Sequence, residues 1–489
     1  MPASLMLTDA RLLDRDGTFD VMIEEGVVVD IFAAGSEPAA GAETHSLGGR
    51  FLVPGLWDNH VHFTQWVAQQ QRLDLSAAGS AAEVLELVRA AEKPVDGKPL
   101  VGYGFRDGLW EDEPSQKDLD EAAGDAPAVM VSGDLHCAWI SSAAERLLDV
   151  RADPDGLVRE EAWFGALEKI QSPGELTSDQ YRAAAQAAAA RGVVGIVEFE
   201  NTENITLWPQ RVDDGVDRLR VEISVWPDKL DGAIACGVKT GDPLDRLGLV
   251  TMGPLKVVVD GSLNTRTAWC WDPYPGLDPA HPHACGMESV PIEDLRGLMQ
   301  RARDAGIGAA IHAIGDRANT GVLDAFETLG MTGSVEHAQL LRHEDVARFA
   351  ELGLAASVQP EHAMDDRDVA DTHWRGRTDR AFALKSLHDA GVELRMGSDA
   401  PVSPLDPWFA MASAVHRSRD DRQPWHPEQS IDIRTALRSS ARGRTDVQVG
   451  DVADLAVVGR SPFDCDRDEL RTMPVAATLV GGRFTHYAL

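Results

Sequence analysis

The chain has 489 residues, 44% of them hydrophobic and 26% charged, and 46 Lys and Arg against 79 Asp and Glu leave a formal charge of −33 at pH 7. A field of that sign repels phosphates, which excludes nonspecific nucleic-acid binding and argues against docking on anionic lipid. The apolar content is too high for an acidic disordered chain, so a folded protein with a large core is expected.

The opening sequence MPASLMLTDARLLDRDG carries acidic residues early and no basic stretch ahead of an apolar one, so no secretion signal is read there. The most apolar stretch, 183–197, reads as an Ala-rich helix broken by Arg191 and Gly192, too short to cross a membrane. Cys137, Cys236, Cys270, Cys285 and Cys465 show no CxxC spacing. That pattern suits reduced thiols in a cytoplasm, the expected location, and leaves His, carboxylate or Lys-derived groups to hold any metal.

Residues 1–52 alternate short β-type runs with Gly and Asp turns, and 446–489 behave alike, with a Gly-Gly hairpin signal in VAATLVGGRFTHY. Both ends are expected to join in one small β domain. Between them, over 53–445, apolar runs alternate with amphipathic stretches: 52–63, 192–199, 218–226, 254–261, 306–315, 333–339, 353–360 and 392–401. Eight such runs predict an α/β fold, a closed (β/α)8 TIM barrel, although an open doubly wound sheet gives the same count. The gap at about 64–191 is far too long for one helix and is read as a large insertion after strand 1, capping the barrel mouth.

Side chains two apart on a strand point the same way, so His60 and His62 in DNHVH can face one ion. An isolated HxH is more often incidental, but this one falls at a strand end, where barrel enzymes place their chemistry. His312, His337 and Asp399 fall late in strands 5, 6 and 8. Each alone reads equally well as a core polar residue; together they suit Zn²⁺ or a related divalent ion. Lysine is scarce, 8 of the 46 basic residues, and Lys256 lies inside the apolar run PLKVVVDG. A buried ammonium must be paired, neutral or modified, so an ion pair with Asp260 or a neighbouring Glu and a carbamate bridging two metals are both open.

The series PGLWDNHVHF, LKVVVDGSLNTRTAW, AAIHAIGDRAN, SVEHAQLL, SVQPEHA and MGSDAPVSPLDPW resembles the amidohydrolase superfamily, specifically the amidohydrolase-3 group of YtcJ-like proteins and N-substituted formamide deformylases. The resemblance covers nearly the whole chain. It implies a metal-binding barrel flanked by a small β-sandwich from both termini. It also implies His60 and His62 as ligands of a first metal, carboxylated Lys256 as the bridge, and His312 and His337 as ligands of a second. Asp399 is implied as both ligand and proton-transfer group. Two departures stand out. The second strand reads GIVEFE where relatives commonly show a TSVHD-like sequence, so Glu198 or Glu200 could compete with Lys256, and RSSARGRTDVQVGDVADL is shorter than the usual link to the C-terminal sheet.

The implied activity is hydrolysis of a C–N bond, amide or formamide-like, by a metal-activated hydroxide, with one or two Zn²⁺ or other divalent ions per chain and Asp399 as base and then acid. A mononuclear deaminase or an esterase on the same fold is the alternative; a non-catalytic barrel is disfavoured because every expected ligand position is filled. Candidate substrate contacts are His136, Arg266, His362, Trp110 and Trp269, with loop bracing and salt bridging as their plain readings. Core packing is the plain reading for most of the 12 tryptophans. The expected partner is a small amide, without nucleic acid or membrane; a homodimer is left open.

Overall fold

A computed structural model describes residues 4–35, 41–70, 72–94, 97–170 and 176–489. Eight parallel strands form one sheet, ordered by sequence around the molecule: strand 1 (Leu56–Val61), strand 2 (Val193–Glu198), strand 3 (Arg220–Val225), strand 4 (Val250–Val258), strand 5 (Ala309–Ala313), strand 6 (Gly333–His337), strand 7 (Ala355–Val358) and strand 8 (Glu393–Met396). Runs such as VVGIVE and AAIHA are buried at every position, as a parallel sheet covered on both faces requires. A helix follows each strand, from Phe63–Gln69 after strand 1 to Pro407–His416 after strand 8.

Strands 8 and 1 nearly close the barrel. Just beyond strand 8, Asp399 N donates to His60 O at 2.7 Å and His62 N donates to Ala400 O at 2.8 Å. Asp58 pins the same seam, its Oδ1 accepting from Ser398 N (2.8 Å) and His60 N (3.2 Å). The backbones meet so closely that a Cβ on Gly397 would lie 2.6 Å from His60 N.

The expected strands agree broadly with the observed ones except at strand 1, where the expected 52–63 divides at Gly55 into Phe51–Pro54 of the terminal sheet and Leu56–Val61 of the barrel, and at strand 4, which begins at Val250 rather than 254. Gly253-Pro254 mimics a turn in the sequence. In the structure the strand runs through it, because glycine lets strand 3 approach: a Cβ there would stand 2.4 Å from Ile223 O.

Between strands 1 and 2 the chain builds a separate five-stranded sheet whose strands include Leu100–Phe105, Ala128–Ser132 and Cys137–Ile140. The two ends of the chain meet in another sheet, where Leu455–Val458 pairs antiparallel with Phe51–Pro54. That sheet has two parts joined by a single pairing, Arg11 opposite Phe51. Arg220 ties it to barrel strand 3 through Asp454 at 2.6 Å. Among the described residues no helix is long and apolar enough to cross a membrane.

Candidate metal centre and active site

The C-terminal ends of strands 1, 4, 5, 6 and 8 converge on one cavity of about 470 Å³, lined by His60, His62, Lys256, His312, His337 and Asp399 among others. Asp399 lies at the centre. Its Oδ1 is 3.4 Å from His60 Nε2 and 3.4 Å from His62 Nε2, and its Oδ2 is 4.0 Å from His362 Nε2. Two groups have donor atoms close enough to share an ion: His60, His62 and Asp399, and His337, His362 and Asp399. His312 stands beside the second group, its ring centroid 4.5 Å from that of His337, but its Nε2 faces Asp260 Oδ1 at 3.5 Å.

The chemistry of this donor set fits a divalent ion. His62 Nδ1, His312 Nε2, His337 Nδ1 and His362 Nε2 are buried with no hydrogen-bond partner among the described residues, and buried polar nitrogens seldom stay unpaired. Burial, together with the Lys256 charge, holds His60 and His62 below the ordinary imidazole range, so both present lone pairs. The backbone is strained where it aims two of these side chains: φ is 72° at His337 and 56° at Asp399, in the left-handed region that non-glycine residues rarely enter.

Lys256 is buried, its Nζ 3.3 Å from His60 Nε2 and 4.3 Å above the Phe199 ring. Burial lowers its pKa while Glu336 and Asp399 oppose the shift. Burial likewise raises the Asp399 carboxyl, against the pull of Lys256 and His136.

Glu198 and Glu200, weighed in the sequence as rivals to Lys256, bond elsewhere. Glu198 Oε1 accepts from Phe63 N and Glu200 N; Glu200 accepts from Gln65 N and Gln65 Nε2. They organise the first turn of the helix after strand 1, and neither belongs to a ligand group. Burial pushes their carboxyls up to about 8 and about 7.

Of the candidate substrate contacts, the structure brings His136 and His362 to the cavities that meet at Asp399. It does not bring Arg266, Trp110 or Trp269 to either. Arg266 sits in a tight turn at φ 57° and its charge falls beside His373. Trp110 packs on Phe105, and Trp269 lies beneath the Arg317 guanidinium at 4.4 Å. Large polar-edged rings at these positions serve packing rather than ligand contact. The apolar wall of the cavity comes instead from Leu135, Phe164, Leu167, Leu207 and Trp226.

Two further residues were not singled out by the sequence. Glu336 Oε2 lies 2.7 Å from His60 Nδ1. Glu160 Oε2 lies 2.9 Å from His136 Nδ1, and its Oε1 accepts from Thr265 Oγ1 (2.9 Å) and Thr267 Oγ1 (2.6 Å). Burial depresses the His136 pKa, but the Glu160 and Asp134 charges outweigh it and push the imidazole up to about 9. Glu336 carries a weak signal in the sequence, a carboxylate inside a barrel strand next to a candidate ligand; Glu160 carries none, since its partner is 24 residues away.

Over residues 43–486 the chain matches the model of the Amidohydrolase family, Amidohydro_3. The chain belongs to the amidohydrolase family. This amidohydrolase is 26% identical to YtcJ of Bacillus subtilis (strain 168), named as an amidohydrolase, over 97% of each chain. It is 26% identical to the N-substituted formamide deformylase of Arthrobacter pascens, over 91% of this chain and 90% of the relative. Its fold is shared with a metal-dependent hydrolase of Pyrococcus horikoshii OT3, at a TM-score of 0.77 and 24% identity over 95% of this chain and 99% of that one. The amidohydrolase is therefore a metal-dependent hydrolase acting on carbon–nitrogen bonds other than peptide bonds.

Proposed function

We propose that this amidohydrolase cleaves the C–N bond of an uncharged amide or formamide-like linkage bearing an apolar arm. One or two divalent ions, zinc the first choice for such nitrogen and oxygen donors, would be held by His60, His62 and Asp399 and by His337, His362 and Asp399. The observation that carries the reading is the convergence of the His60, His62 and His362 imidazoles on Asp399, with His337 Nδ1 and His362 Nε2 buried and unpartnered among the described residues. A bound divalent ion supplies Lewis acidity, acidifying a water and polarising a carbonyl. Asp399 takes the proton of the attacking water and returns it to the departing nitrogen, as base and then acid. Lys256, its ammonium disfavoured by burial, would lose one proton to water, form an N–C bond from Nζ to CO₂ and release a second proton from the resulting carbamic acid, giving the carbamate that the neighbouring ligands suit.

The aromatic and aliphatic wall formed by Phe164, Leu167, Leu207 and Trp226 favours a phenyl-sized apolar arm, because burying it releases ordered surface water. In this reading the barrel spans 53–445 with a cap at about 64–191, and residues 1–52 and 446–489 form a supporting β-sandwich. The formamide deformylase relative makes small-acyl amides the first to try.

The test is a panel of N-formyl, N-acyl and cyclic amides, assayed before and after chelation. Turnover of amides with apolar arms, lost on chelation and restored by Zn²⁺, supports the reading. Preference for small charged amides, or turnover indifferent to chelation, overturns it.

A further inference from the structure

The segment between strands 1 and 2 delivers an imidazole onto the reaction face. His136 lines the cavity, and its ring centroid lies 5.9 Å from that of His312. Its Nδ1 is committed to Glu160 Oε2 at 2.9 Å, and the other Glu160 oxygen is fixed by two threonine hydroxyls from the loop after strand 4. The next residue but one is fixed as well: Asp134 Oδ1 accepts from His136 N at 3.1 Å, and Asp134 Oδ2 accepts from Ser262 Oγ at 2.7 Å. Both carboxylates therefore bind His136 to the barrel loop, and neither of these bonds uses His136 Nε2. A ring braced this firmly on one nitrogen and open on the other toward the cavity is a preorganised donor.

We infer that His136 is a second catalytic residue, donating a hydrogen bond from Nε2 to the substrate carbonyl oxygen, with Glu160 as its positioning residue. The inference rests on the amide hydrolysis proposed for this cavity. In the first step the water oxygen bonds to the carbonyl carbon, the water proton passes to Asp399, and the carbonyl π pair moves onto the oxygen facing His136. His136 stays doubly protonated throughout, its Nδ1–H on Glu160 and its Nε2–H on the substrate oxygen. In the second step that pair re-forms the carbonyl, the C–N bond breaks, and the proton on Asp399 goes to the departing nitrogen. Asp399 and His136 thus divide the work between proton transfer and charge stabilisation.

The experiment compares zinc-loaded wild type, H136A, H136Q and E160Q on 4-nitroacetanilide and on 4-nitrophenyl acetate, whose phenolate leaves without needing a proton. Metal content and thermal midpoint are measured for each variant, so that damage to the metal centre is distinguished from loss of the hydrogen bond. H136A is expected to lower kcat/KM by roughly 100-fold on both probes alike, and E160Q by about tenfold. Affinity for benzylphosphonate, a tetrahedral anion, is expected to fall about tenfold or more in H136A. If H136A loses metal, H136Q, which retains an N–H donor, carries the comparison. A loss confined to the anilide would assign His136 to leaving-group protonation and overturn the inference, as would unchanged rates on both probes with unchanged phosphonate affinity.

Discussion

Nδ1 of His60 and Oε2 of Glu336 lie 2.7 Å apart across the barrel interior, both buried. The carboxylate accepts a hydrogen bond from Nδ1–H, which fixes the tautomer and leaves Nε2 with its lone pair facing Asp399. Ser334 Oγ donates to the other Glu336 oxygen at 2.5 Å, so Glu336 cannot swing away. Replacing Glu336 by Gln should weaken metal binding by about 10–100-fold, read by competition with a chromophoric chelator. Unaltered affinity would mean that His60 is oriented by the strand alone.

Lys256 offers a sharper chemical test. Lys256→Ala removes the proposed carbamate, so turnover should fall by at least about a hundredfold and one of two bound ions should be lost. Wild type reconstituted with ¹³C-bicarbonate should show a carbamate resonance that the variant lacks. A wild-type protein without that resonance, fully active after reconstitution free of bicarbonate, would assign Lys256 to an ion pair with its carboxylate neighbours.

Gly397 tests the seam. A Cβ there would meet His60 N at 2.6 Å and Asp58 Oδ1 at 3.0 Å, both belonging to strand 1. Gly397→Ala should therefore force strands 8 and 1 apart, costing about 1–3 kcal/mol in denaturant unfolding and lowering metal occupancy with it. A stable variant with full metal content would show that the seam is looser than the hydrogen bonds between 58–62 and 398–400 imply.

The second ligand group separates His362 from His312. His362 Nε2 is 4.0 Å from Asp399 Oδ2, whereas His312 Nε2 turns to Asp260. His362→Ala should reduce bound metal from two ions to one, measured by plasma mass spectrometry, and His312→Ala should leave two. The reverse result would restore the ligand assignment that the resemblance implies.

Much of this architecture was legible in the chain. Most of the barrel strands are buried runs rich in apolar residues, such as VVGIVE and AAIHA, and the DNHVH and GSDAP segments place His60, His62 and Asp399 at strand ends. Gly253-Pro254 concealed the start of strand 4 because a turn and a close strand approach use the same residue. His362 was read as a substrate contact because it follows strand 7; its proximity to Asp399 comes from its place in the first turn of Pro360–His373. The bracing carboxylates Glu336 and Glu160 were not legible as such, since the partner of each is set by tertiary packing. The cavity wall was hidden for the same reason: tryptophans such as Trp139 and Trp374 are fully buried, and Phe164 and Leu167 face the site instead.

The most direct test is an anomalous difference map from crystals of the zinc-loaded protein, collected on both sides of the zinc edge. The account predicts peaks within bonding distance of His60, His62 and Asp399 and of His337, His362 and Asp399, bridged by density on Lys256 Nζ. Peaks absent from the Asp399 cavity, or confined to residues outside it, would contradict the account.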